Sequence, residues 1–170
     1  VTLITGPTHY KAQYYTIKTI PITSARDMYD AAHQFFDEVD VAILSAAVAD
    51  YRPKFPALSK IKKKASTLTL ELEKTEDVLA SLGEKKKNQL LVGFALESEN
   101  EVANAIKKLK AKNLDLIVLN SLNDDGAGFG GSTNKISIID KDLNQKDYPL
   151  KSKSEVADDI INELIKRMHA

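Results

Sequence analysis

Four segments of the sequence carry residue types whose spacing could do chemistry. The first is Ser45-Ala46-Ala47-Val48-Ala49-Asp50-Tyr51-Arg52-Pro53. Its small side chains would let a ligand approach backbone amides closely, and Asp50 could accept bonds from ribose or base donors or help hold a divalent ion. Tight helix–sheet packing followed by a surface aspartate would read the same way. The second, Lys60-Ile61-Lys62-Lys63-Lys64, places four ammonium groups within five residues. Their mutual repulsion would be relieved by an anion, and lysine is a flexible point charge suited to a triphosphate; a solvated loop is the plainer account of such a run. The third is Lys108 with Lys112, four apart and so on one face of a helix, at the end where the helix dipole favours cations in any case. The fourth is the loop holding Gly126, Gly128, Gly130 and Gly131. It is neither G-x-x-x-x-G-K-[ST] nor a GxGxxG between a first strand and helix, so a mobile loop or hairpin connection suits it better than a phosphate cradle.

Other chemistries find little support. His9, His33 and His169 are scattered without ligand spacing. There is no HExxH and no Ser/His/Asp arrangement. Cysteine is absent, which excludes disulfides, thiol nucleophiles and zinc–thiolate sites and suits a cytoplasmic protein.

The elements that must position these segments alternate between strand and helix. Val1 to Thr5 is a β-branched run ended by Gly6-Pro7, and Ile17 to Ile22 is a second strand. Ser24 can cap a helix whose apolar face is Met28, Ala31, Ala32, Phe35, Phe36 and Val39. Asp40 to Ala47 is an apolar run expected of a parallel strand covered on both faces. Residues 50 to 64, with two prolines and six basic side chains, read as a loop. Thr67 to Lys74 alternates strictly, with Leu68, Leu70 and Leu72 on one side, and predicts a strand with one wet face. Thr75 or Asp77 could cap a short helix ending near Gly83. Leu90 to Ala95 and Asp115 to Asn120 are further buried strands. Between them Ser98-Glu99-Asn100-Glu101 matches a capping box opening a helix to about Lys112. Lys135 to Asp140 alternates like an edge strand. Ser152 and Glu155 form a second capping box before a last helix reaching about Met168.

This order predicts an α/β fold: a three-layer, Rossmann-like, mostly parallel sheet with helices on both faces and a small antiparallel element near the C-terminal part. In such sheets ligands bind beyond the carboxyl ends of the strands. The 170 residues are 43% hydrophobic and 28% charged, with 24 acids and 24 bases. That fits one domain, 1–170. It argues against a general nucleic-acid binder, and no apolar run is long enough to cross a bilayer.

Several segments, in order, resemble phosphopantothenoylcysteine synthetase, usually the carboxy-terminal half of a bifunctional coenzyme A biosynthesis flavoprotein. They are VTLITGPT at Val1 to Thr8, SAAVADYRP at Ser45 to Pro53, KIKK at Lys60 to Lys63, VGFALES at Val92 to Ser98, KNLDLIVLN at Lys112 to Asn120, and the GFGG loop before KISIID. The resemblance implies a phosphopantothenate–cysteine ligase: CTP with magnesium activates the 4'-phosphopantothenate carboxylate to an acyl-cytidylate, which the amine of cysteine attacks, releasing CMP. The work would be positioning and charge neutralisation. Carried over, the nucleotide contacts fall on Ser45, Ala46, Asp50, Lys60, Glu76, Asp77, Val78, Leu79, Phe94, Lys108 and Lys112, with Ala46 and Ala47 toward the carboxylate substrate and Lys60 as the catalytic lysine. Metal ligands stay unassigned. The resemblance also implies a homodimer, with strands after the glycine-rich loop at the interface, and fusion to a flavin-dependent decarboxylase whose flavin belongs to the other half.

The chain departs from the family in two places. It opens at Val1, where the family's second strand would be, so the N-terminal strand and helix that carry substrate-phosphate contacts are expected outside it, and this stretch alone is expected to turn over weakly. Glu76 stands where many relatives have proline. Two other classes stay open on residues alone: an NAD(P)-dependent oxidoreductase on a similar sheet, and a non-catalytic nucleotide-binding module.

Overall fold

The β-branched opening run forms a strand, as its composition requires, in a computed structural model that describes residues 1–62, 66–121 and 131–168. Lys63, Lys64, Gly126, Gly128, Gly130 and His169 lie outside the described residues. The elements are β1 (Thr2–Thr5), β2 (Lys18–Pro21), α1 (Ala25–Phe36), β3 (Val41–Leu44), β4 (Tyr51–Pro53), β5 (Leu72–Lys74), α2 (Val78–Lys85), β6 (Leu90–Glu97), α3 (Glu101–Ala111), β7 (Leu116–Ser121), β8 (Thr133–Asp140), β9 (Gln145–Ser152) and α4 (Lys153–Met168). Two compact units result: Val1–Glu38 with Ala46–Val78, and Val39–Ser45 with Leu79–Ala170.

In the first unit β1 and β2 pair in parallel, Thr2 opposite Lys18, and α1 packs on β1. Ser24 caps α1 as its position predicts. Its Oγ accepts from the Asp27 amide at 3.1 Å, and the Asp27 carboxylate accepts from the Ser24 amide at 2.9 Å. Bonds to the carboxylate from Ser24 first and then from Thr23 hold the Asp27 carboxyl below its ordinary range. β4 and β5 form an antiparallel hairpin, Arg52 opposite Glu73. The expected loop over 50–64 therefore contains a strand. The expected strand over Thr67–Lys74 is regular only at Leu72–Lys74, and its leucines are 53–66% exposed rather than buried.

The second unit is a five-stranded sheet of order β3-β6-β7-β8-β9. β3, β6 and β7 run parallel; β8 and β9 continue it antiparallel. This is the mixed α/β fold expected from the sequence, with its antiparallel element toward the C-terminus. On one face Val92, Leu116, Val118, Ile136 and Ile138 pack with Val156, Ile160 and Leu164 of α4. Alternation sends Leu91, Ile117 and Ile139, each no more than 1% exposed, to the other face. There α3 contacts β6 and β7 and Leu79 of α2 lies against Gly93. The Asp115 carboxylate ties this layer together, accepting from the Leu91 amide at 2.8 Å and Lys86 Nζ at 2.9 Å.

Four local expectations are corrected. The Asp40–Ala47 run is a strand only at Val41–Leu44, and it is the sheet's edge: Ile43 is 41% exposed, so neighbours do not cover both faces. Lys135–Asp140 is not an edge, because β9, absent from the sequence reading, pairs outside it. Pro149 obscured β9; an edge strand tolerates the missing N–H. Gly83 does not end α2 but lies within it, where a Cβ would stand 1.9 Å from the Lys112 carbonyl oxygen. The Ser98 capping box does not form. Asn100 is the N-cap, in left-handed backbone (φ 46°) and without a side-chain cap bond, while the Glu101 carboxylate accepts from Ser121 Oγ at 2.5 Å. The Ser152–Glu155 box does form, at 3.0 and 3.3 Å.

Candidate functional site

In the first unit two of the sequence-chosen segments meet. Ser45 is the last residue before the unit begins, and Ser45, Ala46 and Ala47 are exposed. The Val48 amide bonds the Ala46 carbonyl at 3.1 Å, closing a tight bend. Thr75 then clamps the end of this stretch: its hydroxyl donates to the Ala49 carbonyl at 2.5 Å and its amide to the Asp50 carbonyl at 3.0 Å. The clamp brings 46–50 beside Glu76 and Asp77 and leaves the Asp50 carboxylate exposed, without a partner among the described residues.

Glu76 serves a local network. It accepts from Arg26 Nη1 at 3.1 Å and Arg52 Nη1 at 3.5 Å; Arg52 Nε reaches Glu73 at 2.8 Å and Lys54 pairs with Glu71. The Glu76 carboxyl is held below its ordinary range by its own backbone amide first and by Arg26 next. Asp77 is exposed, and Val78, at 5% exposure, is core. Lys60 and Lys62 are exposed and without a hydrogen bond or ion pair among the described residues. Arg26, Arg52 and Thr75 thus join this surface. Nothing in the sequence pairs Arg26 with a residue fifty positions away.

In the second unit Leu79 is half-buried against Gly93, and Phe94 lies half-buried against the cluster on the α4 side of the sheet. Lys108 reaches back along α3, as helical side chains lean, to bond Glu97 Oε1 at 2.6 Å; Asn104 holds Oε2 at 3.3 Å. Glu97, which the sequence reading did not single out, therefore fixes the Lys108 ammonium beside the carboxyl end of β6. Lys112 is the C-cap of α3, one turn farther from that rim, with its carbonyl against Gly83. A cavity of about 640 Å³ opens where Glu99, Asn100, Glu101, Ser121 and Lys135 converge, at the carboxyl ends of β6 and β7. In the first unit a cavity of about 510 Å³ lies between β1, β2 and Tyr10, Tyr14 and Tyr15. None of the sequence-chosen residues is among the described lining of either. Among the described residues no group of three or more His, Asp or Glu could hold a metal ion alone.

The family model described as the DNA/pantothenate metabolism flavoprotein C-terminal domain matches residues 1–168. The chain belongs to this family. A curated relative named "Cysteine/Cysteine sulfinic acid decarboxylase", from an unknown prokaryotic organism, is 51% identical over 99% of this chain and 47% of its own length. The coenzyme A biosynthesis bifunctional protein CoaBC of Bacillus subtilis (strain 168) is 45% identical over 96% of this chain and 40% of its own. The chain thus spans less than half the length of these relatives. The crystal structure of the C-terminal domain of a CoaBC matches with a TM-score of 0.81 and 37% identity, covering 99% of this chain and 74% of that one. A Cab2 mutant solved in complex with phosphopantothenate-cysteine shares the fold alone, with a TM-score of 0.67 at 18% identity over 89% of this chain and 53% of that one. The family expected from SAAVADYRP, KIKK and KNLDLIVLN is the one found.

Proposed function

We propose that this chain handles the nucleotide in a phosphopantothenate–cysteine ligase of coenzyme A biosynthesis. A carboxylate is a poor electrophile, so 4'-phosphopantothenate is first joined to CMP from CTP: a carboxylate oxygen bonds the α-phosphorus and pyrophosphate leaves. The cysteine amine then bonds the acyl carbon, a proton is lost, and CMP leaves. Membership of the family and the CoaBC name of its relatives support this reading.

The observation that carries it is the distribution of charge in the first unit. Arg26, Arg52 and Lys54 are paired with Glu71, Glu73 and Glu76, whereas the Asp50 carboxylate and the Lys60 and Lys62 ammonium groups stand exposed and unengaged among the described residues. Unpaired cations on a strand-free segment suit a polyphosphate, whose charge they would offset as pyrophosphate departs. Asp50, at the clamped end of a small-residue stretch, suits a ribose or base donor. The residues proposed to touch nucleotide are Ser45, Ala46, Asp50, Lys60, Glu76 to Leu79, Phe94, Lys108 and Lys112, with Ala46 and Ala47 toward the acyl group. Magnesium would arrive on the triphosphate, and the lone Asp50 carboxylate fits the sparse protein ligation of such ions. The protein is further proposed to be cytoplasmic, homodimeric and fused to a flavin-dependent decarboxylase, in keeping with the bifunctional relatives.

Lys60→Gln in the full-length protein tests the central role. Pyrophosphate release in the presence of all three substrates should fall about 100-fold or more, with an unchanged melting temperature. Wild-type turnover in that variant removes Lys60 from the mechanism.

A further inference from the structure

Strand β6 is apolar from Leu90 to Leu96 and then ends on a carboxylate, Glu97. That side chain is 13% exposed, and a charge so far out of water is costly unless it is paired. Two side chains of α3 pair it. Lys108 Nζ donates to Oε1 at 2.6 Å and Asn104 Nδ2 donates to Oε2 at 3.3 Å, while Asn104 also reaches the Glu99 carbonyl at 2.9 Å. Of the neighbouring acids, Glu101 accepts from Ser121 Oγ and Glu99 is exposed. Lys108 stands two turns into α3, about 10 Å along the helix from its start, so its ammonium reaches the carboxyl end of β6 only by leaning back onto Glu97. An ammonium has three donors. Glu97 takes one, and Lys108 has no other partner among the described residues. A pair whose cation is 45% exposed adds little to stability, so stability is a poor reason for a carboxylate at the end of this strand.

We infer that Glu97 is a positioning residue for the nucleotide: it holds the Lys108 ammonium at the carboxyl end of β6 with two donors left for a phosphate, and Asn104 holds Glu97. The inference rests on the nucleotide contact proposed above for Lys108 and names what sets it. A free lysine is a flexible, strongly hydrated point charge. Ordering one on an anion costs up to about thirtyfold in affinity, and a carboxylate that already holds it removes part of that cost. Protein kinases use the same device, a helix glutamate holding the lysine that meets the phosphates. Repulsion between Glu97 and a phosphate is limited, because both carboxylate oxygens are engaged and the pair shows solvent mainly its ammonium. A purely structural Glu97 would matter equally whatever side chain stood at 108; a positioning Glu97 matters only while a lysine stands there.

Substitutions at 97 and 108 in the full-length protein, singly and together, test this through the KM for CTP in pyrophosphate release. Glu97→Gln keeps the volume and a neutral acceptor but loses the charge-assisted bond. It should raise the KM about three- to tenfold with kcat changed by less than about twofold, the pattern of binding lost equally in ground and transition states. In a Lys108→Met background the same substitution should change the KM by less than about twofold, since no ammonium is left to place. Asn104→Ala, which frees Oε2 but leaves the Lys108 bond, should give a smaller rise in the same sense, and it carries the test should Glu97→Gln not fold. An unchanged KM in the folded variants, or an equal rise in both backgrounds, overturns the positioning role alone. No CTP turnover by the wild type overturns the proposed function and this inference with it.

Discussion

Glu163→Gln should destabilise the protein by about 2–3 kcal/mol at neutral pH, and by less as the pH falls. Glu163 is 8% exposed on α4 and accepts four bonds: from Lys146 Nζ at 2.6 Å, Tyr148 Oη at 2.9 Å, Lys166 Nζ at 3.0 Å and Arg167 Nη1 at 3.1 Å. The Lys146 bond is the main cause that holds its carboxyl far below the ordinary carboxylate range, against the opposing effect of burial. The same bond pushes the Lys146 ammonium up, while burial raises the Tyr148 phenol. Glutamine keeps the volume and can still accept from Tyr148, but it loses the charge and turns an amide toward cations. A bond to a charged group contributes about 1.5–3 kcal/mol when buried. The Lys146 and Lys166 side chains are more than half exposed and rehydrate, so the loss falls mainly on the Arg167 pair and on the Tyr148 bond, which weakens as its acceptor changes from charged to neutral, giving about 2–3 kcal/mol in total.

For a chain of this length that is a fall in melting temperature of about 4–12 °C. The folded state binds the carboxyl proton more weakly than the unfolded state, so Glu163's contribution is whole above the ordinary glutamate range. It is lost as the pH falls through that range toward the folded value. Urea melts followed by circular dichroism at pH 7 and pH 4 measure the gap between wild type and variant. A gap under about 0.5 kcal/mol at pH 7, or one that stays constant between the two pH values, refutes this reasoning.

Two further substitutions probe packing and the site. Alanine is worth about 1 kcal/mol over glycine in a helix, yet Gly83→Ala places a methyl 1.9 Å from the Lys112 backbone oxygen. The clash should win, with a net loss of about 1–3 kcal/mol in a urea melt; a stabilised variant would show that the approach is not tight. Lys108→Met keeps the aliphatic stem but frees Glu97. Stability should change by less than about 1 kcal/mol, since the Lys108 side chain is 45% exposed, while the KM for CTP rises about tenfold. An unchanged KM would leave Lys108 as a partner of Glu97 only.

How far the sequence alone reveals this fold can be seen by comparing like patterns. Ser24 and Ser98 both stand three residues before an acid, and only Ser24 forms the box. Around Ser98 the acids have other partners, Glu97 with Lys108 and Asn104, and Glu101 with Ser121, which moves the cap to Asn100. Local spacing cannot see such tertiary bonds. β6 and β7 were legible because a strand covered on both faces is apolar throughout, whereas β3 carries the same composition at a sheet edge. The leucines at 68, 70 and 72 showed the right alternation but not what covers them. At the site, motif resemblance chose the segments and left Thr75's clamp and the Arg26–Glu76–Arg52 network unseen, because each depends on chain crossings far apart in sequence; Glu97 was missed because its bonds to Lys108 and Asn104 run from strand to helix and follow no single-element spacing.

The most direct measurement of the central claim is pyrophosphate release by the full-length protein as each substrate is withheld in turn. Release should require CTP and 4'-phosphopantothenate, should not be supported by NAD, and should yield an amide product only when cysteine is added. Release that is independent of phosphopantothenate, or no release with all three present, would contradict it.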